Sequence, residues 1–206
     1  MVFSFRPGFS KRRKNNIFIK LISLFAAFSL SIVCVVGCTS QAKASAYDVL
    51  SSMVSAAPSA IPAGDVYVLS NDVASGTLMP TNASDSPPWR VADDSLLLAA
   101  FGRDGSGENG GISELSQEIV DSGAMFFSTA AQPCELMVFR CVSRSDTDLV
   151  AELLLRRLDT LRRQYRDTEQ QAIVENARVV ILGKYVVFAV AVNAQDAIEA
   201  AKSAAK

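Results

Sequence analysis

The sequence predicts an α+β fold in which helices pack on an antiparallel sheet of about four strands, in the core order ββ-α-ββ-α. Two runs of strand-forming residues at 124–128 and 135–142 precede a long amphipathic segment at 145–166. Two more strand-like runs follow at 178–182 and 185–192, joined by a Gly-Lys pair that suits a type II′ turn. The alternation of these elements favours a sheet with segregated helices.

The segment 145–166 has the pattern of an amphipathic helix. Ser145 is predicted as its N-cap, with Asp148 three residues later in an arrangement like a capping box. Its apolar stripe is Val150, Leu154, Leu158, Leu161 and Tyr165, widened by Leu149, Leu153 and Leu155. The first turn is acidic and the last turn is basic, which is the charge order that the helix dipole favours. We expect the stripe to face the sheet.

The strand predicted at 185–192 is apolar on both of its faces. A strand without a polar face is usually central and covered on both sides. We therefore expect Val187 and Ala189 to be as buried as Phe188 and Val190, with N-terminal segments covering their side.

The rest of the chain shows shorter signals. The predicted elements are a helix at 47–57, a strand at 65–69, an exposed loop at 71–88, a helix at 95–101 capped by Asp93 or Asp94, a helix at 112–120, and a closing helix after Asn193 with Ala194, Ala197, Ile198 and Ala201 on its buried face. Residues 47–206 are numerous enough for one domain and too few for two, so we expect a single domain there.

The first forty residues carry export signals. Basic residues at 11–14 and 20 precede an apolar run at 21–37, which is typical of a secretory signal. The run ends in Val-Val-Gly-Cys, which resembles the lipobox of bacterial lipoproteins, with Val35 in place of the usual Leu. This resemblance implies a lipoprotein signal peptide at 1–37, cleavage before Cys38, and lipidation of the Cys38 thiol.

Lipidation would hold the protein at the extracytoplasmic face of the cell membrane, with residues 38–46 as a short tether. Two other interpretations remain open. Residues 44–46, Ala-Ser-Ala, form an A-x-A site for ordinary signal cleavage. The run at 21–37 could also stay uncleaved as an anchor, although it is slightly shorter than the roughly 20 residues that a bilayer requires.

Removal of residues 1–37 changes the charge of the protein. That segment contains six of the 20 Lys and Arg residues and none of the 21 acidic residues, so the mature chain has a formal net charge of −7. An acidic exported protein is a poor candidate for binding nucleic acid or an anionic membrane surface. We expect no nucleic-acid partner.

Several local motifs resemble a family of bacterial lipoproteins known only as domain of unknown function 4358. The motifs are DSLLLAAFG at 94–102, CELMVFR at 134–140, LRRL at 155–158, IVENARVV at 173–180 and GKYV at 183–186. The resemblance covers about residues 94–206, with the glycine-rich stretch near 105–111 as an insertion. It implies a shared fold and an envelope location, and the family supplies no activity to transfer.

The sequence assembles no catalytic or metal-binding set. The absence of His removes Ser-His and Cys-His pairs and the commonest zinc ligand. The glycines at 105, 107 and 110 fit G-x-G-x-x-G, but they do not follow a buried strand, so we interpret them as a loop. Cys134 and Cys141 are too far apart on one strand to bridge each other, which favours free buried thiols over a redox pair. We predict no cofactor and no metal.

Arginines are concentrated at the end of the long helix. Arg157, Arg162, Arg163 and Arg166 either belong to a solvated helix face or form a patch for an anion or a partner. The pairs Glu152–Arg156 and Asp159–Arg163 have the spacing of i,i+4 ion pairs on such a face.

These observations lead us to expect a lipid-anchored, non-catalytic binding or accessory module of the cell envelope. Its partner would be an envelope protein or polymer. The alternative is an envelope enzyme or anionic-ligand receptor that uses the arginine-rich helix and acidic residues.

Overall fold

A computed structural model describes residues 44–56, 59–70, 72, 88–102 and 114–206. All of these residues belong to one compact unit, Lys43–Lys206. The predicted signal peptide, Cys38, most of the tether, most of the loop predicted at 71–88 and most of the glycine-rich stretch lie outside the described residues. Within the described part, no helix is both long and apolar enough to cross a membrane.

One mixed sheet organises the described residues. Its strands are β1 (Gly64–Val68), β2 (Arg90–Val91), β3 (Val120–Ser128), β4 (Glu135–Cys141), β5 (Arg178–Leu182) and β6 (Tyr185–Val190). Their spatial order is β2-β1-β3-β4-β6-β5, and all neighbours are antiparallel except β1 and β2. The predicted α+β class is confirmed. The prediction of four wholly antiparallel strands was wrong, because β1 pairs with the outer edge of β3 and then carries β2 in parallel.

The helices are α1 (Ala46–Ala56), α2 (Asp94–Phe101), α3 (Thr147–Gln164), α4 (Gln171–Glu175) and α5 (Ala194–Ala204). Three of them, α1, α2 and α5, begin within one residue of the predicted position. The Asp93 side chain caps α2 by accepting a 2.8 Å hydrogen bond from the Leu96 backbone N–H, as predicted. The sequence did not predict α4, because a five-residue helix is too short to show a 3.6-residue period.

Both faces of the sheet are covered. One face packs against α2, α3 and α4, and the other packs against α1 and α5. Every residue of β6 is buried, and Val187 and Ala189 are as inaccessible as Phe188 and Val190, at 0% exposure. The prediction of a doubly covered strand is therefore confirmed. The N-terminal helix supplies the second cover together with the C-terminal helix, whose predicted face at Ala194, Ala197, Ile198 and Ala201 is buried.

The start of α3 differs from the prediction. The capping residues are Ser143, which precedes a 3-10 turn at Arg144–Asp146, and Asp146, which is the last residue of that turn. The Asp146 carboxylate accepts hydrogen bonds from the Ser143 backbone N–H at 3.0 Å and from the Ser143 hydroxyl at 2.7 Å. This pair has the same three-residue spacing as the predicted pair of Ser145 and Asp148 and lies two residues earlier in the chain.

The apolar stripe of α3 is narrower than predicted. Its buried residues are Thr147, Val150, Leu153, Leu154, Leu158 and Leu161. Leu149 and Leu155, which were expected to widen the stripe, are 38% and 48% exposed. Both side chains lie on the helix surface just outside the arc of residues that faces the sheet.

The prediction of a helix at 112–120 was wrong for the residues that the structure describes. Residues 114–119 form turns, and Val120 begins β3. The Ile119 carbonyl accepts a hydrogen bond at 2.9 Å from the N–H of Val142, the residue after β4. The end of the segment is therefore already paired with the neighbouring chain. The two-residue hairpin turn was predicted correctly, with Gly183 at a φ of +65° and Lys184 without the positive φ that a type I′ turn would need.

Candidate functional site

The arginine-rich end of α3 divides into separate groups. Arg157 turns towards the sheet and forms two hydrogen bonds to the Glu135 carboxylate, at 3.0 Å from Nε and 2.5 Å from Nη2. Both side chains are largely inaccessible, at 14% and 11% exposure. A bidentate, nearly buried pair of this kind is structural. Arg157 is therefore not part of an exposed patch.

Arg163 lies on the outer face of the helix, where its guanidinium donates to the Thr160 hydroxyl at 3.2 Å. The predicted pair between Asp159 and Arg163 is replaced by one between Asp159 and Arg162, at 3.2 Å. The predicted pair of Glu152 and Arg156 is present at 3.8 Å.

Arg162 and Arg166 line a cleft, here called the α3–α4 cleft. Its walls are Arg162, Tyr165, Arg166, Gln171, Val174 and Glu175. Its volume is about 210 Å³. Pockets for whole small-molecule ligands usually measure about 300–1,000 Å³. The cleft therefore suits a side chain or a terminal group better than a complete ligand.

The sequence between α3 and α4 builds this cleft. α3 ends at Gln164 with Tyr165 as its C-cap, and Asp167, two residues after the cap, adopts a left-handed conformation with a φ of +60°. The Asp167 N–H donates to the Gln171 side-chain oxygen at 2.9 Å, and the Gln171 amide donates to Glu175 at 2.7 Å. These bonds hold α4 against the end of α3, with Val174 buried beneath.

The electrostatics of the α3–α4 cleft favour an anionic guest. Two guanidinium groups and a phenol line the cleft together with one carboxylate, Glu175, which accepts a hydrogen bond from the Gln171 amide. Arg162 is half exposed and bonded to an exposed Asp159. Such exposed pairs are worth roughly 0–1 kcal/mol, so a guest carboxylate could replace Asp159 at little cost.

The two cysteines of the described domain are free and buried, as predicted. They lie on opposite faces of the sheet, Cys134 with the α1 and α5 side chains and Cys141 with the α3 side chains. Burial, reinforced by neighbouring carboxylates, raises the pKa of Cys134 to about 11 and that of Cys141 to about 12. Both thiols therefore stay protonated at neutral pH and are poor nucleophiles.

A buried carboxylate that the sequence did not single out ties α1 to the sheet. Asp72 is 1% exposed and accepts hydrogen bonds from the Ser122 hydroxyl at 2.5 Å and from the Gly123 N–H at 2.8 Å. The Ser122 hydroxyl in turn accepts from the Ala46 N–H at the start of α1, at 2.8 Å. Asp72 lies in the stretch predicted as an exposed loop, where a polar composition conceals a buried position.

A second set of hydrogen bonds fixes Ala44, two residues before α1. The Ala44 carbonyl accepts from the Tyr185 hydroxyl at 2.6 Å and from the Arg140 guanidinium at 3.1 Å. Arg140 is held by Asp121 through a 2.7 Å bond from Nε. Ala44 is therefore held by the two central strands of the sheet, near the end of β4 and at the beginning of β6.

The described residues contain no group of three or more Cys, Asp or Glu side chains arranged to hold a metal ion. Among the described residues, the geometry thus offers an exposed recessed site of polar character, the α3–α4 cleft, beside two structural clusters.

Comparison with known proteins gives one match. Residues 114–191 match a family model described as a domain of unknown function (DUF4358). The match includes β3 to β6 and therefore four of the five motifs that carry the resemblance, whereas 94–102 lies before it. Neither a curated protein nor a solved structure matches the chain.

The ion pair of Arg157 and Glu135 gives a testable prediction. Arg157→Gln leaves a largely buried carboxylate without its partner, so we expect the free energy of unfolding to fall by about 2–4 kcal/mol. Arg162→Gln, the same change one and a half turns later on an exposed side chain, should alter it by at most about 0.5 kcal/mol. Urea denaturation of both variants measures the difference, and equal losses would contradict the assignment of Arg157.

Asp72 gives a prediction on pH. Burial raises the pKa of the Asp72 carboxyl, against the hydrogen bonds from Ser122 and Gly123 that lower it. The folded chain therefore binds this proton more tightly than the unfolded chain. The stabilisation from this group is complete below the ordinary carboxyl pKa of about 3.9 and is lost as the pH rises through the raised pKa.

Asp72→Asn keeps the shape of the side chain and removes its titration. The stability of the wild type relative to Asp72→Asn should therefore increase as the pH falls from about 7 towards about 4. Thermal or urea unfolding across this range measures it. A difference that stays constant or shrinks at acid pH would show that the carboxyl is not held in this way.

Proposed function

Residues 114–191 match the model of a domain of unknown function (DUF4358), and from this premise we propose that the chain is an exported, lipid-anchored lipoprotein of the cell envelope that acts as a non-catalytic binding module. The family model carries no activity, so the proposal is drawn from the chemistry of the chain. Its two parts are the anchor at Cys38 and a binding role for the α3–α4 cleft.

The anchor is supported by the N-terminal sequence, in which a basic stretch and an apolar run end at Cys38. The clamp on Ala44 agrees with it. Only five residues lie between Cys38 and Ala44, the position at which the domain holds the chain. The six Cα–Cα steps from Cys38 to Ala44 span at most about 20 Å when extended, so an acylated Cys38 would keep the entry of the domain close to the membrane surface.

The single observation that carries the binding role is the α3–α4 cleft. Arg162 and Arg166 supply fork-shaped donors that suit carboxylates and phosphates, beside the half-buried ring of Tyr165. Of the six lining residues, one is a carboxylate and none is a thiol or a hydroxyl paired with a base. The lining is equipped to hold an anionic group and lacks an acid and base pair, which favours binding over catalysis.

The volume of the cleft separates the two candidate guests. A receptor for a free anionic ligand would enclose most of that ligand, whereas about 210 Å³ admits one side chain or one chain end. We therefore favour an acidic envelope protein or polymer that presents such a group to Arg162 and Arg166.

Cys38→Ala tests the anchor. The variant lacks the thiol that accepts the lipid, so it should no longer incorporate a fatty-acid analogue and should leave the membrane fraction or fail to mature. Metabolic labelling and fractionation of cells that produce the full chain measure both outcomes. Cys34→Ala, four residues earlier in the apolar run, is the matched control and should behave as the wild type. Absence of label from the wild-type chain would refute lipidation.

A double substitution, Arg162→Gln with Arg166→Gln, tests the binding role. It removes both guanidinium groups of the cleft, so partner recovery with the membrane-anchored chain should fall and should lose its dependence on salt. Exposed charges are screened within about 10 Å at 0.1 M salt, so recovery by the wild type should itself weaken at higher salt. Arg90→Gln with Arg163→Gln makes the same charge change at exposed sites outside the cleft.

The control double variant should recover the partner as well as the wild type does. Recovery that is equal for all three proteins at low and high salt would leave the arginines as a solvated helix face and would remove the support for a binding role.

A further inference from the structure

Within the part of the chain that the structure describes, the outer edge of β5 has no neighbouring strand. It is the last strand of the sheet, and none of the described strands pairs with its outer side. Leu182 and Tyr185 flank a two-residue turn and so exchange both of their backbone hydrogen bonds. By the alternation of an antiparallel ladder, Val180 also bonds to β6, and the N–H and C=O groups of Val179 and Ile181 point outwards.

This edge lacks the usual protection against added strands. Natural edges are often blunted by central Lys or Pro residues, by bulges or by very short strands. The opposite edge, β2, is two residues long. In β5 the register with β6 is unbroken, its four last residues are Val, Val, Ile and Leu, and its charge, Arg178, stands at the first position. Ile181 is 41% exposed.

One flank of α3 also carries an exposed apolar side chain. Leu155 and Arg162 are seven residues apart on α3, so they share one flank of the helix. Arg162 and Arg166 line the cleft with α4, which directly precedes β5, so this flank lies on the β5 side. Leu155 is 48% exposed. The β5 edge thus has apolar side chains along it and arginines at its beginning.

We propose that β5 accepts an extended segment of an acidic partner protein as a seventh strand, antiparallel to β5, and that the α3–α4 cleft holds the acidic end of that segment. The outward groups of Val179 and Ile181 supply the ladder hydrogen bonds. Alternate side chains of the segment pack on Ile181 and Leu155. The inference rests on the binding role proposed above for Arg162 and Arg166, and names the class of partner.

The polarity of the strand decides where the acidic group belongs. An antiparallel segment runs from Leu182 towards Arg178, so its C-terminal end arrives beside α4 and the cleft. Antiparallel pairing is also slightly more stable per residue than parallel pairing. The recognised segment therefore has apolar residues at alternate positions, followed by acidic residues or by a free C-terminal carboxylate.

Charge argues against a second copy of this chain as the occupant. A symmetric antiparallel pair of β5 strands would place Arg178 opposite Leu182 of the other copy. The hairpin turn of each copy, with Lys184, would then lie near the arginines of the other. Both groups are positive, so the pairing would set like charges side by side.

The experiment uses the full chain in detergent micelles and a pool of labelled eight-residue peptides. In the pool, Thr alternates with Val, Ile, Leu or Phe, and each peptide ends in two Asp residues with a free carboxylate. A matched pool ends in two Lys residues with an amide. Fluorescence anisotropy should show the acidic pool binding the wild type at least about tenfold more tightly than the basic pool, because two arginines face its end.

Ile181→Pro removes an outward N–H that β6 does not use, and Pro is tolerated on an edge at such a position. It should weaken binding of the acidic pool by about tenfold or more. Ile181→Lys, which leaves the backbone intact and places a charge on the edge, should do the same. Val91→Lys is the control, since Val91 is 46% exposed on the opposite edge, and should bind as the wild type does. Thermal melts of each variant confirm that it is folded.

Amide hydrogen exchange gives a second readout. Addition of the acidic pool should slow exchange at Val179 and Ile181 and leave Val180, which already bonds to β6, unchanged. Unaltered exchange at Val179 and Ile181, or undiminished binding by Ile181→Pro and Ile181→Lys, would overturn strand addition. Dimerisation of the chain through β5 without peptide would also overturn it.

The outcomes separate this inference from the proposed function. Loss of acidic preference on Arg162→Gln with Arg166→Gln, while both Ile181 variants still bind, would leave the cleft as a binding site and refute the seventh strand. Membrane retention of Cys38→Ala would refute the anchor without affecting the peptide measurements.

Discussion

The structure depends on two central strands, β4 and β6, that are buried on both faces of the sheet. All six residues of β6 are buried, and β4 beside it is buried at six of seven positions. Such strands are stable only when both faces are removed from water, because each fully buried aliphatic side chain contributes about 1.5–3 kcal/mol. The helix between the two strand pairs covers one face. Two helices from opposite ends of the described chain, α1 and α5, cover the other.

This requirement explains why the domain extends beyond the segment that matches the family model. That segment ends at residue 191, before α5, and begins long after α1. Without these helices Val187 and Ala189 would face solvent. The polar bonds at the edge of this layer serve the same purpose: Ser122 and Asp72 hold the first turn of α1, and Tyr185 and Arg140 hold Ala44, two residues before it. The cover is thus fastened where the chain enters the domain.

Sequence periodicity predicted the elements that are long or fully buried, and failed where distant residues decide. The stripe of α3 and the doubly apolar β6 follow from local pattern alone. The position of Arg157 does not, because its partner Glu135 lies 22 residues away on another element. For the same reason the four arginines of the predicted patch looked equivalent, although the structure separates them into an ion pair, an outer face and the α3–α4 cleft. Strand β2 was missed because two residues carry no period.

Local pattern did not identify β5 as an edge strand. The apolar runs of β5 and β6 are alike in composition, yet β6 lies between two strands and β5 has one neighbour. Sheet order alone makes Ile181 accessible and leaves the backbone groups beside it directed outwards. The chain would carry a formal charge of −7 if residues 1–37 were removed, so a partner with acidic ends would meet net repulsion. Arg162, Arg166 and Arg178 place three guanidinium groups towards one end of β5. An acidic end that is attracted there and repelled by the net charge of the chain would be directed both to one place of binding and to one strand polarity.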